Sequence, residues 1–333
     1  MSTVNVKLPT SNIQSPISNF QPPASIIIPN WNGVRHLPTC LDSLHRQSYT
    51  SFEIIVVDNG STDASLQLLE REYPEVKVVA LPENRGFAGG VNAGIREARG
   101  EIVAVFNNDA EADLRWLEEL AEALACHPEA GMVTPKVLLF DRRDVINSAG
   151  DFYRVDGVPG NRGVWQWDEG QFDREEYVFG AAGVAAAYRR TMLNEVGLFD
   201  EDLVSFCEDV DLAWRAQLAG WKCIYVPRAI VYHKLSATGG GKIASYYCGR
   251  NFIYVVAKNY PTTLLRKHWW RIVCAQLDIA WEALKAWRGE AARARLRGQL
   301  AGLWGLPRML AKRRVVQASK RISDEYLESI LTH

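Results

Sequence analysis

Glu208 and Asp209 stand side by side where a run with apolar residues at helical spacing, residues 210–219, begins. A carboxylate placed there can take a proton from an attacking hydroxyl within hydrogen-bond reach. The helix dipole also favours acidic residues at such a start, whatever their chemistry. Asp211 and Arg215, four apart, read as an ion pair on the helix face, and Trp214 as core or as a wall of an acceptor site. Upstream, four short segments collect Asn, Asp and Gly: Asn30-Trp-Asn-Gly33, Asp58-Asn-Gly-Ser-Thr-Asp63, Glu83-Asn-Arg-Gly-Phe-Ala-Gly-Gly90 and Asn107-Asn-Asp109. Singly, each has the composition of an ordinary turn.

What joins them is what precedes them. Residues 24–29, 52–57, 76–80 and 101–106 are short apolar runs of the kind found in parallel sheets buried on both faces. Helical patterns separate them: 36–47 with Leu37, Leu41 and Leu44, a second carried by Leu66, Leu68 and Leu69, small residues over 89–98, and 114–126. The alternation predicts an α/β fold with a mostly parallel sheet. Ligands bind beyond the carboxyl ends of such strands, where these polar segments fall. Residues 141–178, polar and rich in Trp and Tyr, read as an excursion from the sheet; a strand at 222–226 and a helix over 243–259 follow.

Familiar nucleotide signatures are missing. No G-x-G-x-x-G follows the first strand, which disfavours a dinucleotide-dependent oxidoreductase. Gly239-Gly-Gly-Lys242 lacks P-loop spacing and has Ile243 where Ser or Thr would sit, which disfavours a Walker-type NTPase. The six cysteines show no C-x-x-C pair, the pattern of reduced thiols in a cytosolic protein. Residues 1–23 are polar and hold four prolines, a disordered tail without a signal-peptide core, and no run is long and apolar enough to span a membrane.

The ordered set of motifs resembles the inverting family 2 glycosyltransferases of GT-A fold, and within them the bacterial rhamnosyltransferase-like branch. It runs from Ile27-Ile-Pro-Asn-Trp-Asn-Gly33 through Val56-Val-Asp-Asn-Gly-Ser-Thr-Asp63, Asn84-Arg-Gly-Phe-Ala-Gly-Gly-Val-Asn92 and Asn107-Asn-Asp109. It continues through Gly197-Leu-Phe-Asp200, Glu208-Asp-Val-Asp-Leu-Ala-Trp-Arg215 and Val231-Tyr-His233, covering residues 24–260. The resemblance implies transfer of a sugar, rhamnose from dTDP-rhamnose as first choice, from a dTDP- or UDP-linked donor to a saccharide hydroxyl. Asp209 is then the base and Glu208 its helper. Donor contacts fall to Asn30, Asp58, Asp63, Asn84, Arg85, Gly86, Gly89, Asn92 and Asn108, with helix capping as the competing use of Asp63. Asp109, His233 and Asn107 would hold Mg²⁺ or Mn²⁺ against the diphosphate. Asn107 and Asn108 stand where carboxylates are possible, so a weak cation site is expected. Acceptor recognition falls to residues 141–190 and the loop 234–242, with Trp165, Trp167 and Arg189-Arg190 as candidate contacts. A sugar nucleotidyltransferase and a non-catalytic sugar-nucleotide-binding protein at the membrane are the competing readings.

The formal net charge of -1 hides a split. Residues 1–259 carry 24 basic and 33 acidic side chains; residues 260–333 carry 14 and 6. The basic part, a helical extension over 261–333, holds five of the eleven tryptophans. Trp/Leu stripes flanked by Lys and Arg bind anionic lipid at the membrane interface. Enzymes of this branch extend saccharides on polyprenyl diphosphate carriers, so the expected location is the cytoplasmic face of the cell membrane, in cell-wall or surface-polysaccharide synthesis. The same helices could instead pack on the catalytic body or form a homo-oligomer interface; no domain feature supports nucleic-acid binding.

Overall fold

The structure is a computed structural model that describes residues 23–235 and 240–333. The expected N-terminal tail, apart from Pro23, and residues 236–239 of the expected acceptor loop, including Gly239, lie outside the described residues.

Strands and helices alternate as the apolar runs predict: β1 (Ala24–Asn30), α1 (Leu37–His45), β2 (Phe52–Asn59), α2 (Ser65–Glu72), β3 (Lys77–Leu81), α3 (Gly86–Glu97) and β4 (Ile102–Val105). Next come β5 (Ala110–Ala112), α4 (Trp116–Cys126) and β6 (Ala130–Leu139). The excursion contains β7 (Ile146–Ser148), β8 (Asp151–Tyr153), β9 (Pro159–Asn161) and β10 (Glu176–Val178). Then follow β11 (Ala187–Arg189), α5 (Arg190–Val196), a 3-10 turn at Glu201–Leu203, α6 (Glu208–Leu218) and β12 (Lys222–His233). Helices α7 (Lys242–Asn259), α8 (Thr262–Lys285), α9 (Glu290–Trp304), α10 (Leu306–Ala318) and α11 (Asp324–Ser329) complete the order.

The main sheet runs β3-β2-β1-β4-β11-β6-β12-β10, with β5 on β12 and β7 on β6. β3, β2, β1 and β4 are mutually parallel, as are β6 and β12, while β11 is antiparallel to both its neighbours. Strand alternation sorts the core. Ile27, Ile55, Val57 and Val105 face one layer, and Ile26, Ile28, Ile54 and Val56 face the other with Leu41, Leu69 and Trp116 of the helices. The excursion is not wholly outside the sheet, because β10 returns to pair antiparallel with β12. Leu66, expected to carry α2, is exposed, and Leu69 alone of its leucines is fully buried.

Residues 261–333 share the first layer: Leu264, Ile272, Val316, Leu327 and Leu331 are buried in it. Thr332 adds a bridge, its N–H donating to Tyr153 O at 2.9 Å and its carbonyl accepting from Val155 N at 2.9 Å. On α8, Trp269, Trp270, Val273, Leu277, Trp281 and Leu284 form one exposed face, and Trp304 at the end of α9 is 90% exposed. Among the described residues no helix is long and apolar enough to cross a membrane.

Candidate active site

The carboxyl ends of β1, β2 and β4 are tied together by buried side chains. Asn30 Nδ2 donates to Asp58 Oδ1 at 3.2 Å and to Ser61 Oγ at 3.4 Å, and Asn30 Oδ1 accepts from Asn108 Nδ2 at 2.7 Å. Asp58 Oδ2 accepts from Ser61 N at 3.1 Å. Asn30, Asp58 and Asn108 are each 1–3% exposed, so they brace the site's floor. Asn30, expected as a donor contact, makes these ties within the protein through both its polar atoms. Gly33 belongs to the same knot, since a Cβ there would lie 2.1 Å from Asn108 Nδ2 and 2.3 Å from Asn30 Oδ1.

Asp63 serves both loops it separates. Its Oδ2 accepts from Val34 N at 3.0 Å and its Oδ1 from Ser65 N at 3.0 Å and Ser65 Oγ at 2.6 Å. Burial works against its charge, but the Ser65 hydroxyl and these amides hold the carboxyl below its usual range. Ala64 is the N-cap of α2 and no side chain caps it; Asp63, one residue earlier, has its oxygens on the Val34 and Ser65 amides and the Ser65 hydroxyl.

In the glycine-rich segment another part of this chain lies close against the glycines. Gly86 has φ +73°, and a Cβ there would lie 2.6 Å from Val204 O. Phe87 N donates to Ser205 Oγ at 3.1 Å and Ala88 N to Val204 O at 3.0 Å, so another part of this chain takes the free amides of the α3 N-terminus. Asn84 Oδ1 accepts from Gly86 N at 2.8 Å, and Arg85 pairs with Glu201 at 3.2 Å. A Cβ on Gly89 would crowd Arg85 Cβ at 2.7 Å. Asn92, expected as a donor contact, is buried, donates to Phe199 O at 2.8 Å and accepts from Phe199 N at 3.1 Å.

Asp109 and His233 meet although they leave different strands, with His233 Nε2 3.3 Å from Asp109 Oδ1. β12 delivers the histidine, because His233 pairs with Ala110 in the β5–β12 register. Asn147 Oδ1 lies 3.0 Å from Nδ1 and fixes the orientation of the ring. Asn107 Oδ1 is buried without a hydrogen-bond partner. The Asp109 carboxylate, the His233 imidazole and the orphaned Asn107 carbonyl oxygen are of the donor types that would suit a divalent cation. Among the described residues no three His, Cys, Asp or Glu side chains gather as a metal cage.

Asp209 lies beside this loop. Its Oδ2 accepts from Gly183 N at 2.9 Å, and the next residue, Val184, accepts from Asn107 N at 2.8 Å. Burial pushes its carboxyl up, against the pull of the Val210 and Gly183 amides. Glu208 is pushed well up by burial and then by Asp209, and its Oε2 has no hydrogen-bond partner. Asp151 of β8, which sequence reasoning passed over, is pushed up by burial and again by Asp209. Behind the turn, Asp211 is no surface residue. It is 0% exposed and bonded to Arg215 at 2.9 Å, Lys258 at 2.8 Å and Asn259 at 2.7 Å. Lys258 also reaches Asp200 at 2.6 Å, and Lys312 of α10 reaches Asp200 and Asp202 at 2.5 and 2.7 Å.

Other expected acceptor contacts separate. Arg189 donates to Ala130 O at 2.8 Å and Arg190 to Gly100 O at 2.6 Å, at the opposite edge of the sheet. Trp214 is fully buried core, whereas Trp165 and Trp167 are exposed.

Residues 25–197 match the model for Glycosyl transferase family 2. The chain belongs to that family. An uncharacterized protein of Sinorhizobium fredii is 33% identical over 228 residues, 65% of this chain but 25% of its own length. The N-acetylglucosaminyl-diphospho-decaprenol L-rhamnosyltransferase of Mycobacterium tuberculosis is 28% identical over 261 residues, 71% of this chain and 82% of its own. The crystal structure of GalNAc-T7 with UDP, GalNAc and Mn²⁺ has TM-score 0.59 and 18% identity, covering 72% of this chain and 48% of that one. The last likeness shows the GT-A type of fold, and the family decides between the enzyme readings in favour of glycosyl transfer.

In this glycosyltransferase the family match ends before Asp200, so the acidic turn, His233 and Lys258 all lie beyond it. Asp151 and Lys258 carry no local signal. Only the folded chain brings them to Asp209 and Asp211.

Proposed function

We propose that this glycosyltransferase moves L-rhamnose from dTDP-rhamnose, with inversion, onto a hydroxyl of a polyprenyl-diphosphate-linked saccharide during surface-polysaccharide assembly. The observation that carries the reaction is Asp209, held by the Gly183 amide one residue from Val184, whose carbonyl accepts from Asn107 N. The acceptor oxygen bonds to the anomeric carbon as the bond to the diphosphate breaks, and Asp209 takes the hydroxyl proton. A raised carboxyl is a better match to that task than an ordinary one. Asp109 and His233, with Asn107, would hold Mg²⁺ or Mn²⁺, which when bound neutralises the departing diphosphate.

The choice of rhamnose and of a lipid carrier is supported by the Mycobacterium tuberculosis relative, whose name states both. The exposed Trp/Leu face of α8, with Arg266, Arg271, Lys285 and Arg288 along the same helix and its end, supports attachment to the anionic inner face of the cell membrane.

The test is calorimetry with dTDP-rhamnose, UDP-GlcNAc and GDP-mannose in Mn²⁺, Mg²⁺ or EDTA, followed by transfer to polyprenyl-diphosphate-GlcNAc. Tightest binding of dTDP-rhamnose, lost in EDTA, is expected. Preference for another donor replaces rhamnose, and binding and turnover indifferent to EDTA remove the cation from Asp109 and His233.

A further inference from the structure

Three of the four residues from Val204 to Cys207, just before the acidic pair, adopt a backbone that side chains disfavour. Val204 has φ 64° and ψ -66°, and Ser205 N donates to Leu203 O at 2.7 Å. That is the positive-φ γ-turn, a rare and strained one, centred on a β-branched residue. Phe206 and Cys207 follow with φ 66° and 64°, and Cys207 is the N-cap of α6 without a side-chain cap of its own. Three non-glycine residues out of four in the left-handed half of φ space persist only where surroundings over-determine them.

The surroundings come chiefly from one side chain. Asn251, on α7 and 0% exposed, aims Nδ2 at three carbonyls of this segment: Leu203 at 2.9 Å, Ser205 at 3.0 Å and Phe206 at 2.6 Å. Its Oδ1 accepts from Arg250 Nε at 2.9 Å, and Arg250 Nη2 donates to Asp202 O and Leu203 O at 2.9 Å each. Leu203 O therefore closes the γ-turn and receives both side chains. On the far side α3 grips the same segment through Phe87 N and Ala88 N.

We propose that Asn251 is a positioning residue for glycosyl transfer: by holding residues 203–207 in the strained conformation, it sets where Glu208 and Asp209 enter the site. The inference rests on Asp209 being the base. Asn251 does not touch that carboxylate. It fixes the chain that leads into it, and reacting groups displaced by about 1 Å can lose about a hundredfold in rate.

The experiment compares full-length Asn251→Ala, Asn251→Ser and Asp209→Asn with the unaltered chain. The probe is dTDP-rhamnose, or whichever panel member the unaltered chain turns over fastest. Asn251→Ala should lower kcat about ten- to a hundredfold while donor KM stays within about threefold, the signature of lost transition-state alignment. It should also displace the acid limb of the kcat–pH profile, and Asn251→Ser, which keeps one donor, should recover part of the loss. Unchanged kcat and pH profile in folded variants overturns the proposal, and so does loss of the fold in both, which would make Asn251 structural only. If Asp209→Asn keeps its turnover, the assignment of the base has failed. If Asp209→Asn is dead and Asn251→Ala is normal, only the present inference has.

Discussion

Asn108 Nδ2 and Asn30 Oδ1 meet at 2.7 Å across 78 residues of sequence, and Gly33 leaves the only room in which they can do so. Gly33→Ala places a methyl on that bond. It should cost about 1–3 kcal/mol of stability by overpacking. Donor affinity should fall further than the melting temperature suggests, because the loops after β1, β2 and β4 lose their common tie. Calorimetry with dTDP-rhamnose beside a thermal melt checks this; unaltered binding would make the knot irrelevant to the donor.

Asp209→Asn should abolish transfer and leave nucleotide binding within a few-fold of the unaltered chain. The kcat–pH profile of the unaltered chain should have an acid limb, because the base must be deprotonated, with its midpoint above the ordinary aspartate value of about 3.9. A limb at or below that value would contradict the burial of this carboxyl.

Lys258→Met should be costly, on the order of 3 kcal/mol, since breaking a buried pair strands charge in the interior. The pH dependence has a definite sign. Burial alone would raise Asp200 and Asp211, but Lys258 and its fellow cations outweigh it and hold both carboxyls below their usual range. A depressed folded pKa gives stability that is present above about pH 3.9 and lost as pH falls below it. Melting curves of the two proteins should therefore converge on acidification below about pH 4; a constant gap would mean the pair is not ionised in the fold.

Replacing Trp269, Trp270 and Trp281 together by Ser removes exposed apolar surface from α8 and should leave the melting temperature nearly unchanged. Sedimentation with phosphatidylglycerol/phosphatidylcholine vesicles should fall about tenfold or more. Binding by the unaltered chain should weaken with salt, as expected for a face that also uses Lys and Arg. Equal sedimentation of both proteins would turn attention to self-association through this face.

Strands were readable because a sheet covered on both sides demands runs such as Ile26-Ile-Ile28 and Ile54-Ile-Val-Val57, and the polar loops because turns select Asn, Asp and Gly. What those polar side chains do was not readable. Asn92 looks like a ligand group until Phe199, 107 residues away, takes both its polar atoms. Asp211 and Arg215 have the spacing of a surface pair, and spacing carries no information about Lys258 arriving from α7. Arg189 and Arg190 sit at the end of an antiparallel strand, and its direction, invisible locally, sends them to the wrong edge for substrate.

Thr332 is hydrogen-bonded to Tyr153 and Val155, and Lys312 to Asp200, across 112 residues in the latter case. On a ribosome, where chains emerge from the N-terminus, Asp200 is made and exposed long before its partner exists. A nascent chain stopped near residue 260 would present a sheet largely paired and an acidic turn lacking Lys312. The pairing of Lys312 with Asp200 and Asp202 is thus completed late in translation, after every strand of the sheet has been made.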